Sequence, residues 1–216
     1  RLSETLVDIP SSRHFQVTRF AGTLEHHATL DHLRVAHVTD MHVGRVTPFK
    51  AQLEAVRIAN AGAPDLVAIT GDFVCHSQRY LDQLEEVIAG FHAPVVCVLG
   101  NHDHWCGADD VRRTLKRAGA EILDNAWTAL TLRHQRLQIT GIDDAYTGHS
   151  DVTQATRGLD PAIATLGLSH IAEEADHLWR RQVPLVLSGH THAGQVTWAR
   201  LHELSIGRIA GHKYIH

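Results

Sequence analysis

The run Val-Val-Cys-Val-Leu-Gly-Asn-His-Asp at residues 95–103 constrains the fold of this chain more than any other stretch. A short apolar segment rich in β-branched residues stops at a glycine and opens into an amide, an imidazole and a carboxylate. Such a segment suits a strand buried on both faces, as in a sheet covered by helices. Gly100 lets the backbone turn sharply. Asn101, His102 and Asp103 are then presented at the carboxyl end of the strand, where open α/β sheets keep their chemistry.

The chain makes the same move four more times. Residues 34–39 run into Asp40 and His42, residues 66–70 into Gly71 and Asp72, residues 164–169 into His170, and residues 184–188 into Gly189, His190 and His192. Side chains two apart on an extended segment point the same way, so Asp40 with His42, and His190 with His192, can each converge on a point. Residues 48–61 and 78–91 carry apolar positions at helical spacing between these strands. A third helix is expected from Asp109 or Asp110 to Ala118, closed by Gly119. Strands alternating with helices predict a parallel sheet with right-handed crossovers. Residues 121–141 read instead as an antiparallel meander, residues 143–160 as a loop, and 172–181 as a helix. Residues 4–9 and 15–20 read as short edge strands without chemistry.

Composition narrows the function classes. At 216 residues one domain, 1–216, is expected. A net charge of -4 gives no electrostatic footprint for nucleic acid. Three cysteines without a CxxC pair indicate neither a disulfide framework nor a cysteine zinc site, and fit a reducing compartment. There is no apolar run of the length a membrane span needs. The chain starts at Arg1, which leaves an upstream signal or anchor open. The strand ends use five of the nineteen histidines; the others read as surface residues.

Carboxylates, imidazoles and one amide form a ligand set for divalent Mn, Fe or Zn. They are too many for one tetrahedral site. They suit two metal ions sharing a carboxylate, an arrangement used to cleave phosphate esters. Ser188 precedes Gly189 and His190, but no G-x-S-x-G elbow occurs, which disfavours a Ser-His-Asp hydrolase.

In this order, Asp40-x-His42, Gly71-Asp72, Gly100-Asn101-His102-Asp103, His170 and Gly189-His190-x-His192 resemble the five signature blocks of the calcineurin-like metallophosphoesterases. The resemblance spans residues 34–195. It implies a four-layer α/β/β/α sandwich with two divalent metal ions (Mn, Fe or Zn) at the strand ends. Carried over by position, Asp40, His42 and His192 would bind the first metal and Asn101, His170 and His190 the second, with Asp72 bridging. His102 would meet the leaving-group or phosphoryl oxygen, and Asp103 would orient its ring. The activity implied is hydrolysis of phosphodiester or pyrophosphate-linked substrates by metal-activated hydroxide.

Residues 141–144 and 189–195 further resemble a bacterial branch of membrane-associated phosphodiesterases that includes UDP-2,3-diacylglucosamine hydrolases. This implies a small-molecule phosphoester such as a nucleotide-linked sugar or lipid, in the cytoplasm or at the periphery of the inner membrane. Ala193 departs from the glycine usual there, and the last C-terminal strands of that branch are expected to be missing after His216. Alternatives of the same fold are a phosphomonoesterase, a phosphoprotein phosphatase or a non-catalytic binding scaffold. The Asp-Arg-Gly of the protein phosphatases is absent after Asp72. Trp105, just past the Asn101–Asp103 block, is expected to wall the mouth of the site with an aromatic ring.

Overall fold

Two runs of strands, each closed by its own helices, build the molecule. The computed structural model describes residues 15, 17–21, 30, 32–45 and 47–191. In the first half β1 (Val35–Val38), α1 (Phe49–Ala61), β2 (Leu66–Thr70), α2 (Leu81–Ala89), β3 (Val95–Val98), α3 (Asn101–Arg117) and β4 (Glu121–Ile122) follow one another. The four strands lie in the order β1-β2-β3-β4, all parallel. The second half contributes β5 (Ala126–Leu132), β6 (Gln135–Ile142), α4 (Val152–Ala155), β7 (Thr165–Ser169), α5 (Ala175–Trp179) and β8 (Leu185–Ser188). Its sheet has the order β5-β6-β7-β8, antiparallel only between β5 and β6. That hairpin turns on Arg133 and His134, both at positive φ (47° and 69°), as a two-residue loop matched to strand twist requires.

Strand alternation sorts the core into layers. In β2 and β3, Val67, Ile69, Val95 and Cys97 face the helices, packing with Val56 of α1, Leu84 and Ile88 of α2, and Leu115 of α3. Their neighbours Leu66, Ala68, Val96 and Val98 face the other way and meet Leu137, Ile139, Leu166 and Leu168 of the second sheet. A third cluster, Ile142, Ala155, Leu178 and Val183, sits under α4 and α5. The expected α/β/β/α sandwich is what these layers form.

Four expectations change, the first being that residues 143–160, read as a loop, contain the short helix α4. The described residues of 15–20 form no strand; Phe20 is 90% exposed and Val17 is exposed as well. Residues 4–9 lie outside the described residues. α3 begins at Asn101, eight or nine residues before the expected aspartate caps. Gly100 is extended and its N–H is accepted by the Asp103 carboxylate at 2.9 Å, which caps a helix start. Gly107 (φ 111°, ψ 82°) then breaks the helix, so only its second part shows clean periodicity in sequence. Within 121–141, β4 leaves the meander and pairs with β3 in the first sheet.

The cluster between the sheets is apolar, so its stability rests on packing. Leu168 is fully buried there. Leu168→Ala is expected to cost about 2–5 kcal/mol from lost burial and the residual cavity. Urea unfolding followed by circular dichroism measures this. A loss far below that range would show that the two sheets do not pack as described.

Candidate metal centre

The β1–β2 ladder does not stop where the strands do. Asp40 N–H donates to the Gly71 carbonyl (3.1 Å), His42 N–H to that of Asp72 (2.9 Å) and Val43 N–H to that of Phe73 (2.8 Å). To keep these bonds while turning, Asp40 (φ 51°), His42 (44°) and Asp72 (54°) adopt the left-handed region, as does His190 (67°) on the opposite sheet. Non-glycine residues held there cost on the order of 1–3 kcal/mol each and cluster at functional sites. Aspartate and histidine tolerate this region better than most residues.

Small residues let the strand ends meet. A Cβ on Gly100 would lie 2.3 Å from Asp72 Oδ1, and one on Gly71 would lie 2.6 Å from the Gly100 nitrogen and 2.8 Å from His170 Nδ1. No side chain fits at either position. The two sheets are joined at the same place, since His170 Nδ1–H donates to the Thr70 carbonyl at 2.8 Å.

Seven of the nine sequence-predicted residues converge here. Asp72 Oδ1 accepts the main-chain N–H of His102 (2.9 Å). Its Oδ2 lies 3.4 Å from His170 Nε2 and 3.6 Å from His42 Nε2. Asn101 Oδ1 is 3.0 Å from His170 Nε2 and 3.1 Å from His190 Nδ1. The main-chain N–H of His190 donates to the Asp40 carboxylate. His192 lies outside the described residues.

Asp103 does not do what was expected of it. Its carboxylate accepts the N–H groups of Gly100 and Val74 (2.9 and 3.1 Å), so it caps α3 and ties down the loop after β2. His102 Nδ1–H instead donates to the Cys75 carbonyl at 2.8 Å. Complete burial, together with the negative charge of Asp72, pushes Asp103 up to about 7 despite those two N–H bonds.

Burial acts to raise Asp72 as well, but the hydrogen bond and charge of His170 and the N–H of His102 outweigh it and hold Asp72 below the usual carboxylate range. Burial acts to lower His170, but Asp72, Asp40 and the Thr70 carbonyl carry it up to about 9. Oxygens of Asp40 and Asp72 and a ring nitrogen of His170 lie within 4.8 Å of one another. Two carboxylates so close, Asp72 buried and Asp40 half-buried, call for a positive partner. A protonated His170 meets that need alone, and a divalent cation fits the same donors. His42, Cys75 and His102 form a second such group. Cys75 gave no signal in sequence, because it lacks any cysteine-spacing pattern.

Around this centre runs a perimeter of rings. His102 lies 4.8 Å from His42 and 5.0 Å from Trp105, between centroids. Trp105 is 5.9 Å from Tyr146, and Tyr146 is 5.6 Å from His190. The tryptophan thus stands at the mouth, as expected, and Tyr146 joins it from the loop after β6. That loop is fastened to α3 by His104 Nε2 on Asp143 Oδ1 (2.8 Å) and Arg112 on Asp143 Oδ2 (3.2 Å).

Residues 33–194 match the calcineurin-like phosphoesterase family. Phosphodiesterase YaeI of Escherichia coli (strain K12) is 25% identical over 169 residues, covering 76% of this chain and 62% of that protein. UDP-2,3-diacylglucosamine pyrophosphatase LpxG of Chlamydia trachomatis serovar D is 24% identical over 247 residues, covering 91% and 75%. Among solved structures, the 5'-nucleotidase precursor of Thermus thermophilus shares the fold with a TM-score of 0.53 at 19% identity, over 74% of this chain and 42% of that one. The chain spans 60–64% of the length of several curated relatives that it matches.

The His104–Asp143 pair sets a pH window. Burial acts to lower His104, but its bond to Asp143 raises it above 6.5. Burial acts to raise Asp143, but the same bond and Arg112 bring it below 3.8. A raised histidine contributes stability that is full below its unfolded value and lost as pH rises through its folded value; a depressed aspartate contributes stability lost as pH falls through its folded value. The melting-temperature gap between wild type and His104→Gln should therefore be widest between pH 3.8 and 6.5 and shrink toward alkaline pH. A gap that stays constant into alkaline pH would exclude the ionic pair.

Proposed function

The chain belongs to the calcineurin-like phosphoesterase family, and from that premise we propose that it hydrolyses phosphodiester or pyrophosphate-linked substrates at two divalent cations. One observation carries the reading. Asp72 Oδ2 lies between His42 and His170, at 3.6 and 3.4 Å, and these histidines belong to the two halves of the donor set. This supports Asp72 as the carboxylate that two ions would share. Asp40, His42 and His192 would hold the first ion; Asn101, His170 and His190 the second. When bound, such ions polarise a phosphoryl oxygen and acidify water.

The chain's own groups supply the rest. The bond from His170 Nδ1–H to the Thr70 carbonyl leaves Nε2 to face Asp72 and Asn101, fixing the ring before any ligand arrives. The main-chain N–H of His102 fixes the Asp72 carboxylate in the same way. Because His102 Nδ1 is held by the Cys75 carbonyl, Nε2 is the atom left to protonate the departing oxygen. Asp103 supports this from behind as a helix cap.

The domain reading is a single phosphoesterase unit. The substrate class we favour is a small phosphoester such as a nucleotide-linked sugar or lipid, supported by the likeness to the Chlamydia trachomatis pyrophosphatase. No Lys or Arg follows Asp103 before Arg112, and Arg112 is engaged with Asp124 and Asp143. This stretch therefore offers no cation for the extra charge of a monoester dianion, which favours diesters. No helix among the described residues is long and apolar enough to cross a membrane; association with a membrane surface stays part of the proposal only.

Two variants test the roles. Asp72→Asn should lose most of its bound metal and most of its turnover together, with the circular dichroism spectrum unchanged. His102→Ala should keep its metal and lose roughly 100- to 10,000-fold in kcat, the usual share of a general acid. Elemental analysis and hydrolysis of a bis-aryl phosphate with Mn, Fe or Zn added separately give both readings. Metal lost from His102→Ala would make that residue a ligand. A higher kcat/KM for the mono-aryl than for the bis-aryl ester would overturn the substrate class.

A further inference from the structure

We propose that Trp105 and Tyr146 form a stacking subsite for a planar ring on the group esterified to the phosphate, a proposal that rests on the phosphoesterase centre above. The two rings are exposed over 58% and 61% of their residue surface. Their centroids are 5.9 Å apart and their planes 77° apart, so one offers a face where the other offers an edge. A planar ring laid on the indole face meets the tyrosine at its rim, the offset and edge contacts that aromatic groups prefer. The pair is continuous with the centre on both sides, through His102 at 5.0 Å and His190 at 5.6 Å. A ring bound there lies beside His102, whose main-chain N–H is bonded to the Asp72 carboxylate.

The subsite is built from behind. His104, beside Trp105, and Asp143, three residues before Tyr146, are joined at 2.8 Å with both side chains under a tenth exposed. His149 stacks on His104 at 4.1 Å. Thr147 donates to the Asp144 carboxylate, and Asn125 holds the main chain at Asp143, His149 and Asp151. None of these ties touches the metal centre, yet together they fix the loop of Tyr146 against the first turn of α3. Arg112, a cation of this region, is taken up by Asp124 and Asp143. Among the described residues, Trp105 and Tyr146 thus offer a ligand two exposed aromatic rings that carry no charge, which favours a planar neutral ring over a second anionic group.

The test measures binding to the metal-loaded protein by calorimetry, with inorganic phosphate, adenosine 5′-monophosphate, adenosine and octyl phosphate as probes. Base–aromatic stacking contributes on the order of ten- to a hundredfold in affinity. The nucleotide should bind tighter than phosphate by that factor, and tighter than octyl phosphate. Trp105→Ala and Tyr146→Ala should each remove most of the advantage, and adenosine should bind the wild type but neither variant. Equal affinities for nucleotide and phosphate, or an advantage that survives Trp105→Ala, would overturn the subsite. Octyl phosphate binding as tightly as the nucleotide would overturn the planar-ring assignment. Failure of phosphate itself to bind would count against the metal centre instead, and the adenosine measurement would still decide the rings.

Discussion

The close approach of the Gly71–Asp72 turn to Gly100 and His170 is the contact on which the centre depends. At these positions there is no room for a Cβ, and a main-chain carbonyl of one sheet receives a histidine of the other. Packing between the sheets brings the strand ends together, but an apolar layer is tolerant of small shifts. Contacts at hydrogen-bond distance are not. The hydrophobic layers therefore place the strand ends roughly, and this polar junction sets their final spacing.

The same junction is where the backbone is strained. Asp40, His42, Asp72 and His190 all occupy the left-handed region, and the surrounding ladder bonds hold them there. Relaxing any one would swing its side chain out of the cluster. Energy stored in these turns is offset by the two four-stranded sheets beneath, whose inner side chains are nearly all buried. A rigid scaffold carrying a strained polar edge is the arrangement expected where donors must be held ready for a ligand.

Three buried or nearly buried aspartates show how one residue type is put to different uses. Asp72 is held charged by histidines and faces the centre. Asp103, fully enclosed, spends its oxygens on two main-chain N–H groups and is pushed toward neutrality by burial. Asp143 is held charged by His104 and Arg112 and fastens the rim. Residue type alone does not separate these roles; the number and charge of the donors around each carboxylate do.

The sequence by itself determined the five strands that lead into the site, their turns and the polar residues at their ends. These depend on side-chain periodicity and on glycine, which act within a few residues; thus β2 was legible to the residue and β3 to within one. The order of the five blocks carried the family and its layered fold. Tertiary structure alone decided which groups meet. The bond between His170 and Thr70 joins residues 100 apart, and that between His190 and Asp40 joins residues 150 apart. Asp103 turned away from His102 because a helix start needed its carboxylate. Tyr146 reached the rim because Asp143, 39 residues from His104, fastened its loop there. Such pairings follow from how layers stack in three dimensions, and a local pattern holds no record of the distance between layers.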